Sequence, residues 1–416
     1  MYNMNFTAYE TFILPILSFK GQKQTTMFFY RIKKLLLGYI LNLISYMGDF
    51  MAEVVKIVLT GGPCGGKTSA LKYISEELKK LNIPTITIVE VASRLFSEGK
   101  TPENVGSYEF HRELFEIQLA EENEKTQIAK NMDCEKAVLL FDRGLLDSRA
   151  YVTEDEFAKY AGIHNLNEDV IRSSYDAVFH LVTSADGAEE YYGKETNIFR
   201  REESLEKARK VDTDVMAVWT GTPHLRIIDN STDFDTKLKR LLKEVVAFLG
   251  IPKPLEIERK FLIEYPDIEF LNSIKTCRRI PITQAYLTTP EEGYFRIRKR
   301  GEGDKAVYIK TVKIKISDIK RIEIENYISK EQYDSYLAQR QYVTGIISKD
   351  RYCIVDNSTY CELDVYPFWN DRATLEIELL SEDQRYQLPK FVKLIREVSS
   401  EPDYRNLALA QKYGKP

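Results

Sequence analysis

Charged residues recur at every second position in six short stretches of the C-terminal part of the chain: Glu256-Ile257-Glu258-Arg259-Lys260, Arg296-Ile297-Arg298, Arg321-Ile322-Glu323-Ile324-Glu325, Lys349-Asp350-Arg351, Glu362-Leu363-Asp364 and Glu376-Ile377-Glu378. Successive side chains of a β-strand point to opposite faces, so each stretch predicts a strand with one charged face. The ordinary meaning of alternation is an antiparallel sheet with one solvated side. That reading leaves unexplained why acid pairs and base pairs fall on separate strands. Closing the sheet into a barrel gives an ionic interior. Such an interior costs several kcal/mol per ion unless acids and bases compensate one another, or a charged ligand and a metal enter. A polyphosphate with Mg²⁺ or Mn²⁺ meets that requirement.

This ordered series, opening on Glu-x-Glu-x-Lys at Glu256 and closing on Glu-x-Glu at Glu376, resembles the CYTH or triphosphate tunnel metalloenzyme family from about Leu255 to the C-terminus. The resemblance implies an α+β domain built on an antiparallel eight-stranded β tunnel. Its basic side chains grip a linear triphosphate, and its acidic ones hold divalent ions that polarise the phosphate and position water. Here Lys260, Arg296, Arg298, Lys349 and Arg351 form the grip. Lys313 joins them through the spacing of Thr311-Val312-Lys313, whereas Lys310 has the opposite strand parity. Glu256, Glu258, Glu323, Glu325, Asp364, Glu376 and Glu378 form the acidic set, with Glu256, Glu258, Glu376 and Glu378 on the metal side. Catalysis is then mainly electrostatic and needs no serine or cysteine nucleophile. Arg321 departs from the pattern, because it shares the carboxylates' face and can neutralise them.

A second signal lies upstream. Gly61-Gly62-Pro63-Cys64-Gly65-Gly66-Lys67-Thr68, followed by Ser69, matches the Walker A pattern between a strand-like run, Val55 to Leu59, and a helix-like run, Thr68 to Lys80. In that context the glycines let backbone N–H groups wrap a phosphate, Lys67 neutralises it, and Thr68 is placed to ligate Mg²⁺. Asp142 ends the apolar run Leu139-Leu140-Phe141 and reads as a Walker B type carboxylate with Arg143 beside the phosphates, although an acid closing a strand also serves as a helix cap. Glu90 closes the strand-like run from Thr85. Its place resembles that where nucleoside kinases keep a carboxylate facing the acceptor hydroxyl, which implies a catalytic role; the residues alone equally allow a structural ion pair with Arg94. Arg200 and Arg201 lie in a basic segment that reads as a lid over phosphates or as a solvated helix face.

Further strand-like runs, Lys136 to Phe141 and Ala177 to Val182, alternate with helices as in an α/β P-loop domain with a parallel sheet flanked by helices. Together these motifs resemble the P-loop domain of nicotinamide riboside kinases. Coupled to a tunnel domain, the order resembles the TRPL translocation defect protein family, whose members are described as binding GTP and phosphoinositides. Plant tunnel enzymes with a uridine-kinase-like domain are a looser parallel. The expected organisation is a leader at 1–50, a P-loop domain at 51–250, a hinge at 251–255 containing Pro252 and Pro254, and a tunnel domain at 256–416.

With 416 residues, 44% of them hydrophobic, the chain is long enough for two or three domains. A net charge of −4 gives no general attraction to nucleic acid, so phosphate-binding charge must be local. The five cysteines form no Cys-x-x-Cys pair and the four histidines have no metal-ligand spacing, which argues against a disulfide framework or a zinc site and points to a cytoplasmic protein using hard cations. The run Leu35-Leu36-Leu37-Gly38-Tyr39-Ile40-Leu41 is too short to span a bilayer. It reads as an upstream extension of a protein that starts at Met51, or as a peripheral membrane segment. The expected activity is phosphohydrolysis of tripolyphosphate or a nucleoside triphosphate, with ATP or GTP bound at the P-loop. The alternatives are a nucleotide sensor whose tunnel takes phosphoinositide headgroups, and a nucleoside or nicotinamide riboside kinase.

Overall fold

The computed structural model describes residues 52–193, 204–251, 255–289, 293–303, 306–315, 320–338, 345–379, 382 and 384–415; the side chains at 255–256, 289, 293–294, 313–315 and 320–323 also lie outside the description. The leader and the basic segment with Arg200 and Arg201 are therefore outside the described residues. Among those described, no helix is long and apolar enough to cross a membrane. Segments 53–130 and 136–416 make up one compact unit that contains two sheets.

The first sheet is parallel and five-stranded: β1 (Glu53–Thr60), β2 (Thr85–Ile88), β3 (Lys136–Asp142), β4 (Ala177–Leu181) and β5 (Leu225–Ile228), in the order β2-β3-β1-β4-β5. β3 and β4 are buried along almost their whole length, as expected of apolar runs covered by helices on both faces. Those helices are α1 (Lys67–Lys80), α2 (Val91–Ser97), α3 (Pro102–Val105), α4 (Ser107–Lys130), α5 (Glu154–Ile163), α6 (Glu168–Ser173), α7 (Leu205–Trp219) and α8 (Phe234–Phe248). Ala70, Leu71, Ile74 and Leu78 fall at helical spacing on α1. They pack with Leu238, Leu241 and Val245 of α8 against Val55, Ile57 and Leu59 of β1. Each large apolar side chain so buried contributes roughly 1.5–3 kcal/mol. The strand order reverses on either side of β1, so a crevice opens at its carboxyl end, where the Walker loop begins.

The second sheet is antiparallel: β6 (Leu255–Glu264), β7 (Cys277–Thr289), β8 (Gly293–Arg300), β9 (Val307–Lys315), β10 (Lys320–Ile328), β11 (Ile347–Asp356), β12 (Thr359–Val365), β13 (Arg372–Leu379) and β14 (Leu394–Glu397). β10 returns to pair with β6, Arg321 opposite Glu256, and this closes eight of the nine strands into a ring. β14 adds beside the far half of β6. The barrel is inverted relative to a soluble sandwich. Ile257, Phe261, Leu363, Leu375 and Ile377 face outward with Leu271 of α9 (Ile268–Ser273), and Phe295 and Ile297 pack with Tyr333 of α10 (Lys330–Ala338). The charged face is left to the lumen. A last helix, α11 (Asn406–Tyr413), lies at one end of the ring, with Leu409 and Ala410 beside Ile347 and Tyr366.

Candidate functional site

The Walker loop joins β1 to α1. Gly61 has φ 132°, and a Cβ there would lie 2.1 Å from the Leu181 carbonyl oxygen; Gly66, with φ 86°, would place one 2.5 Å from the Phe234 ring. Only glycine is accommodated at either position. Lys67 Nζ folds back onto the carbonyl oxygens of Gly61 (3.0 Å) and Gly62 (2.7 Å). Burial lowers its pKa to about 8, against the opposing pull of Asp142 and Glu90. The Thr68 hydroxyl donates to Asp142 Oδ2 at 2.8 Å, whereas Asp142 Oδ1 is buried with no hydrogen-bond partner. Burial raises the Asp142 pKa. A buried acceptor left unsatisfied costs about 1–3 kcal/mol. Beside the Thr68 hydroxyl, this orphaned oxygen is a hard donor of the kind that divalent cations prefer.

Arg143, at φ 75°, turns its guanidinium to Glu90 Oε1 (2.6 Å) and Asp147 Oδ1 (3.1 Å). Burial pushes the Glu90 carboxyl up, but Arg143, Lys67 and the Ser93 hydroxyl outweigh it and hold the pKa at about 2. A carboxylate held there accepts a proton poorly at neutral pH, so in this state Glu90 anchors Arg143. Its pairing is with Arg143, while Arg94 binds Glu121. Two further carboxylates organise the crevice. Asp147 accepts from the Thr60 hydroxyl (2.6 Å), Gly144 N (2.9 Å) and Trp219 Nε1 (3.1 Å). Asp212 of α7 accepts from Gly62 N (2.6 Å) and Thr183 N (3.2 Å).

In the ring, strand register puts Lys260 opposite Glu376, Glu376 opposite Glu362, Arg351 opposite Asp364, Arg298 opposite Gln284, and Thr311 between Arg296 and Glu325. The described charged side chains among them fall into two ion-paired groups, one around Arg351 and one around Glu325. Lys260 Nζ donates to Glu376 Oε1 at 2.7 Å and Arg351 Nη2 to Glu376 Oε2 at 2.8 Å. Arg351 also reaches Asp364 through Nε and Nη2, both at 2.7 Å, and pairs with Glu362; Lys349 donates to Asp364. Asp364 is fully buried and Lys349, Arg351 and Glu376 nearly so. Burial pushes the Glu376 carboxyl up, yet Lys260, Arg351 and Lys349 hold it well below the usual range. Arg296 reaches Glu325 Oε1 at 3.2 Å, and Arg298 stands 3.6 Å from the same oxygen. The Arg298 Nε is buried with no hydrogen-bond partner.

Residues 56–237 match the AAA domain family model AAA_28, and residues 254–412 match that of the CYTH domain. The chain carries an AAA domain followed by a CYTH domain. Comparison with curated proteins gives no match. Among solved structures, that of the inorganic triphosphatase NE1496 is 29% identical, covering 38% of this chain and 97% of that chain with a TM-score of 0.26. The structure of deoxyadenosine kinase from M. mycoides with bound dATP is 17% identical, covering 46% of this chain and 98% of that one with a TM-score of 0.32.

Within the CYTH domain, Glu256, Lys313 and Glu323 have side chains outside the description, but register puts Glu256 opposite Arg321 and Lys313 opposite Glu323. Lys310 lies on the outward face, its Nζ 4.7 Å from the centre of the Phe295 ring. Glu258 is opposite Glu378, and the Glu378 carboxylate is engaged by Arg226 of the AAA domain. Among the described residues, no group of three His, Cys, Asp or Glu side chains is arranged to hold a metal ion, because the tunnel carboxylates are turned to basic partners. All five cysteines are free thiols. Sequence reasoning missed Arg300 and Gln284 as lumen residues, although Arg300 continues the Arg296, Arg298 alternation, and it put Glu362 on the charged face with Asp364 without naming it in the acidic set. Asp147 and Asp212 carry no local motif.

Proposed function

We propose that the CYTH domain is a divalent-metal-dependent phosphohydrolase acting on tripolyphosphate or the triphosphate of a nucleotide, and that the AAA domain binds a nucleoside triphosphate. The observation that carries this reading is the buried network of Lys260, Lys349 and Arg351 on Glu376, Asp364 and Glu362, extended by Arg296 and Arg298. Among the described residues, the bases of this network are paired with its own carboxylates. A linear triphosphate offers those bases a second set of anionic oxygens, and its arrival frees carboxylates such as Glu376 to hold a cation.

Binding therefore proceeds by exchange: Lys260, Lys349 and Arg351 transfer their hydrogen bonds from carboxylate to phosphate, and Arg298 Nε gains a partner. Glu258 and Glu376, with Glu256 on the same face, are the residues that would hold a divalent ion. Such an ion, when bound, supplies Lewis acidity and acidifies water. The fixed guanidinium groups meet charge as it builds on the transferring phosphoryl group, at no cost in reorganisation. In the AAA domain the loop glycines and Lys67 bind phosphate, and Thr68 and Asp142 are the metal side.

Phosphate release from tripolyphosphate, ATP and GTP in Mg²⁺ or Mn²⁺ tests this with wild type, Lys67→Ala, and Glu256→Ala combined with Glu258→Ala. Loss of tripolyphosphate turnover in the glutamate variant alone is expected. Equal activity in all three removes the tunnel from the reaction. Tight headgroup binding without hydrolysis makes the tunnel a phosphoinositide sensor instead.

A further inference from the structure

One mouth of the CYTH tunnel is occupied by the AAA domain. Antiparallel register brings the starts of β7 and β12 and the ends of β8, β11 and β13 to this mouth, with Ile280, Arg300, Tyr360, Cys353 and Glu378 on the lumen face. These residues meet the short segment between α7 and β5. Arg300 donates to the Gly221 carbonyl, the Tyr360 hydroxyl reaches the Thr222 carbonyl at 3.4 Å, and Arg226 of β5 pairs with Glu378. Gly221 has φ 97°, and a Cβ there would lie 2.9 Å from Arg278 Cδ and 3.1 Å from Ile280 Cδ1, so backbone closes directly onto the tunnel wall. At the rim, Arg278 pairs with Asp169 at 2.6 Å and Lys275 with Asp214.

The other mouth is covered differently. There the eight-residue α11 rests on the ring through Asn406, which accepts from Lys349 Nζ at 3.3 Å and the Tyr366 hydroxyl at 2.7 Å, and through Leu409 and Ala410. Among the described residues, one mouth is thus set in ion pairs from a whole domain and the other lies under the short helix α11.

We propose that the Thr220–Thr222 turn and Arg226 form the fixed floor of the tunnel, so that it acts on linear phosphate chains from a free end entering on the α11 side. This rests on the reading of the tunnel as a triphosphate site. A floor prevents a long chain from threading through, and internal P–O–P bonds are then out of reach. The blind end also suits a terminal phosphate, which bears more charge than an internal one. Arg300 stands there with the Gly221 carbonyl and the Cys353 thiol as its hydrogen-bond partners, neither of them a carboxylate. In each turnover water adds across the terminal P–O–P bond, giving orthophosphate and a chain one phosphoryl unit shorter.

Two readouts test the floor in the full-length chain, comparing wild type with Arg226→Ala combined with Arg278→Ala. With long-chain polyphosphate, gel analysis of wild-type products should show orthophosphate and gradually shortened chains, whereas the variant should add intermediate lengths from internal cuts while still turning over tripolyphosphate. Intermediate lengths from wild type overturn the proposal, as does end-only cutting by both proteins. Absence of wild-type tripolyphosphate turnover instead refutes the hydrolase reading, and the second readout then decides the floor alone. Cys353 is fully buried at the blind end. Its labelling by a small methanethiosulfonate, followed by mass spectrometry, should be at least about tenfold faster in the variant, where the floor opens locally. Equal rates in the two proteins show that the AAA domain does not close the tunnel.

Discussion

Replacing Asp364 by alanine tests the ionic lumen most sharply, because this fully buried carboxylate carries two cations at once. Arg351 binds it through two nitrogens at 2.7 Å, and Lys349 binds the same Oδ2. Removing it leaves a buried ammonium and a buried guanidinium short of their counter-charge, and breaking a buried pair on one side costs about 3–5 kcal/mol. For a domain of this size, that lowers the CYTH melting transition by roughly 6–20 °C. Asp364→Asn keeps the shape and should lose a comparable amount, which separates charge from cavity. Scanning calorimetry without metal, with and without tripolyphosphate, is the assay. The anion should recover more stability in either variant than it adds to wild type, since it replaces the missing carboxylate. If both variants melt within about 2 °C of wild type, the lumen charges are not coupled and the reasoning fails.

Two other residues give independent tests. Glu122 is buried against the Tyr175 hydroxyl at 2.6 Å, and burial raises its pKa from 4.5 to about 7. The folded protein therefore holds a proton that the unfolded chain releases, and stability is full below pH 4.5 and falls as pH rises through about 7. Glu122→Gln should remove about 3 kcal/mol of that pH dependence, and denaturant titrations at pH 5 and pH 8 with identical slopes for variant and wild type would contradict it. Asp142→Asn should keep metal-free nucleotide binding but lose the increment that Mg²⁺ adds, measured with a fluorescent nucleotide in Mg²⁺ or EDTA. An unchanged Mg²⁺ increment would show that the orphaned Oδ1 is not a metal ligand.

Much of this architecture is written locally in the chain. The Walker glycines sit where φ and backbone clearance demand them, and β1, β3 and β4 are apolar runs whose burial is decided by their own composition. The tunnel was legible because period-two alternation fixes which face each charge occupies, and one residue of slip would have moved every charge to the other side. Other features depend on distant segments meeting. Asp147 and Asp212 look like ordinary helix-surface acids until Gly62, Thr60 and Trp219 are brought to them. β5 carries Arg226 inside a four-residue apolar run, and that charge finds its partner only when Glu378 is brought to it. The commitment of Glu90 to Arg143 and of Glu378 to Arg226 follows from packing across 53 and 152 residues of sequence, which no local spacing encodes.

The most direct measurement of the central claim is calorimetric titration of the full-length protein with tripolyphosphate in EDTA, where a metal-dependent hydrolysis does not run. The account predicts one tripolyphosphate per chain, bound about 10–100-fold more weakly by Arg351→Ala or Lys260→Ala and unchanged in Lys67→Ala. Binding that survives both lumen substitutions and disappears with Lys67 would place the triphosphate in the AAA domain and contradict it.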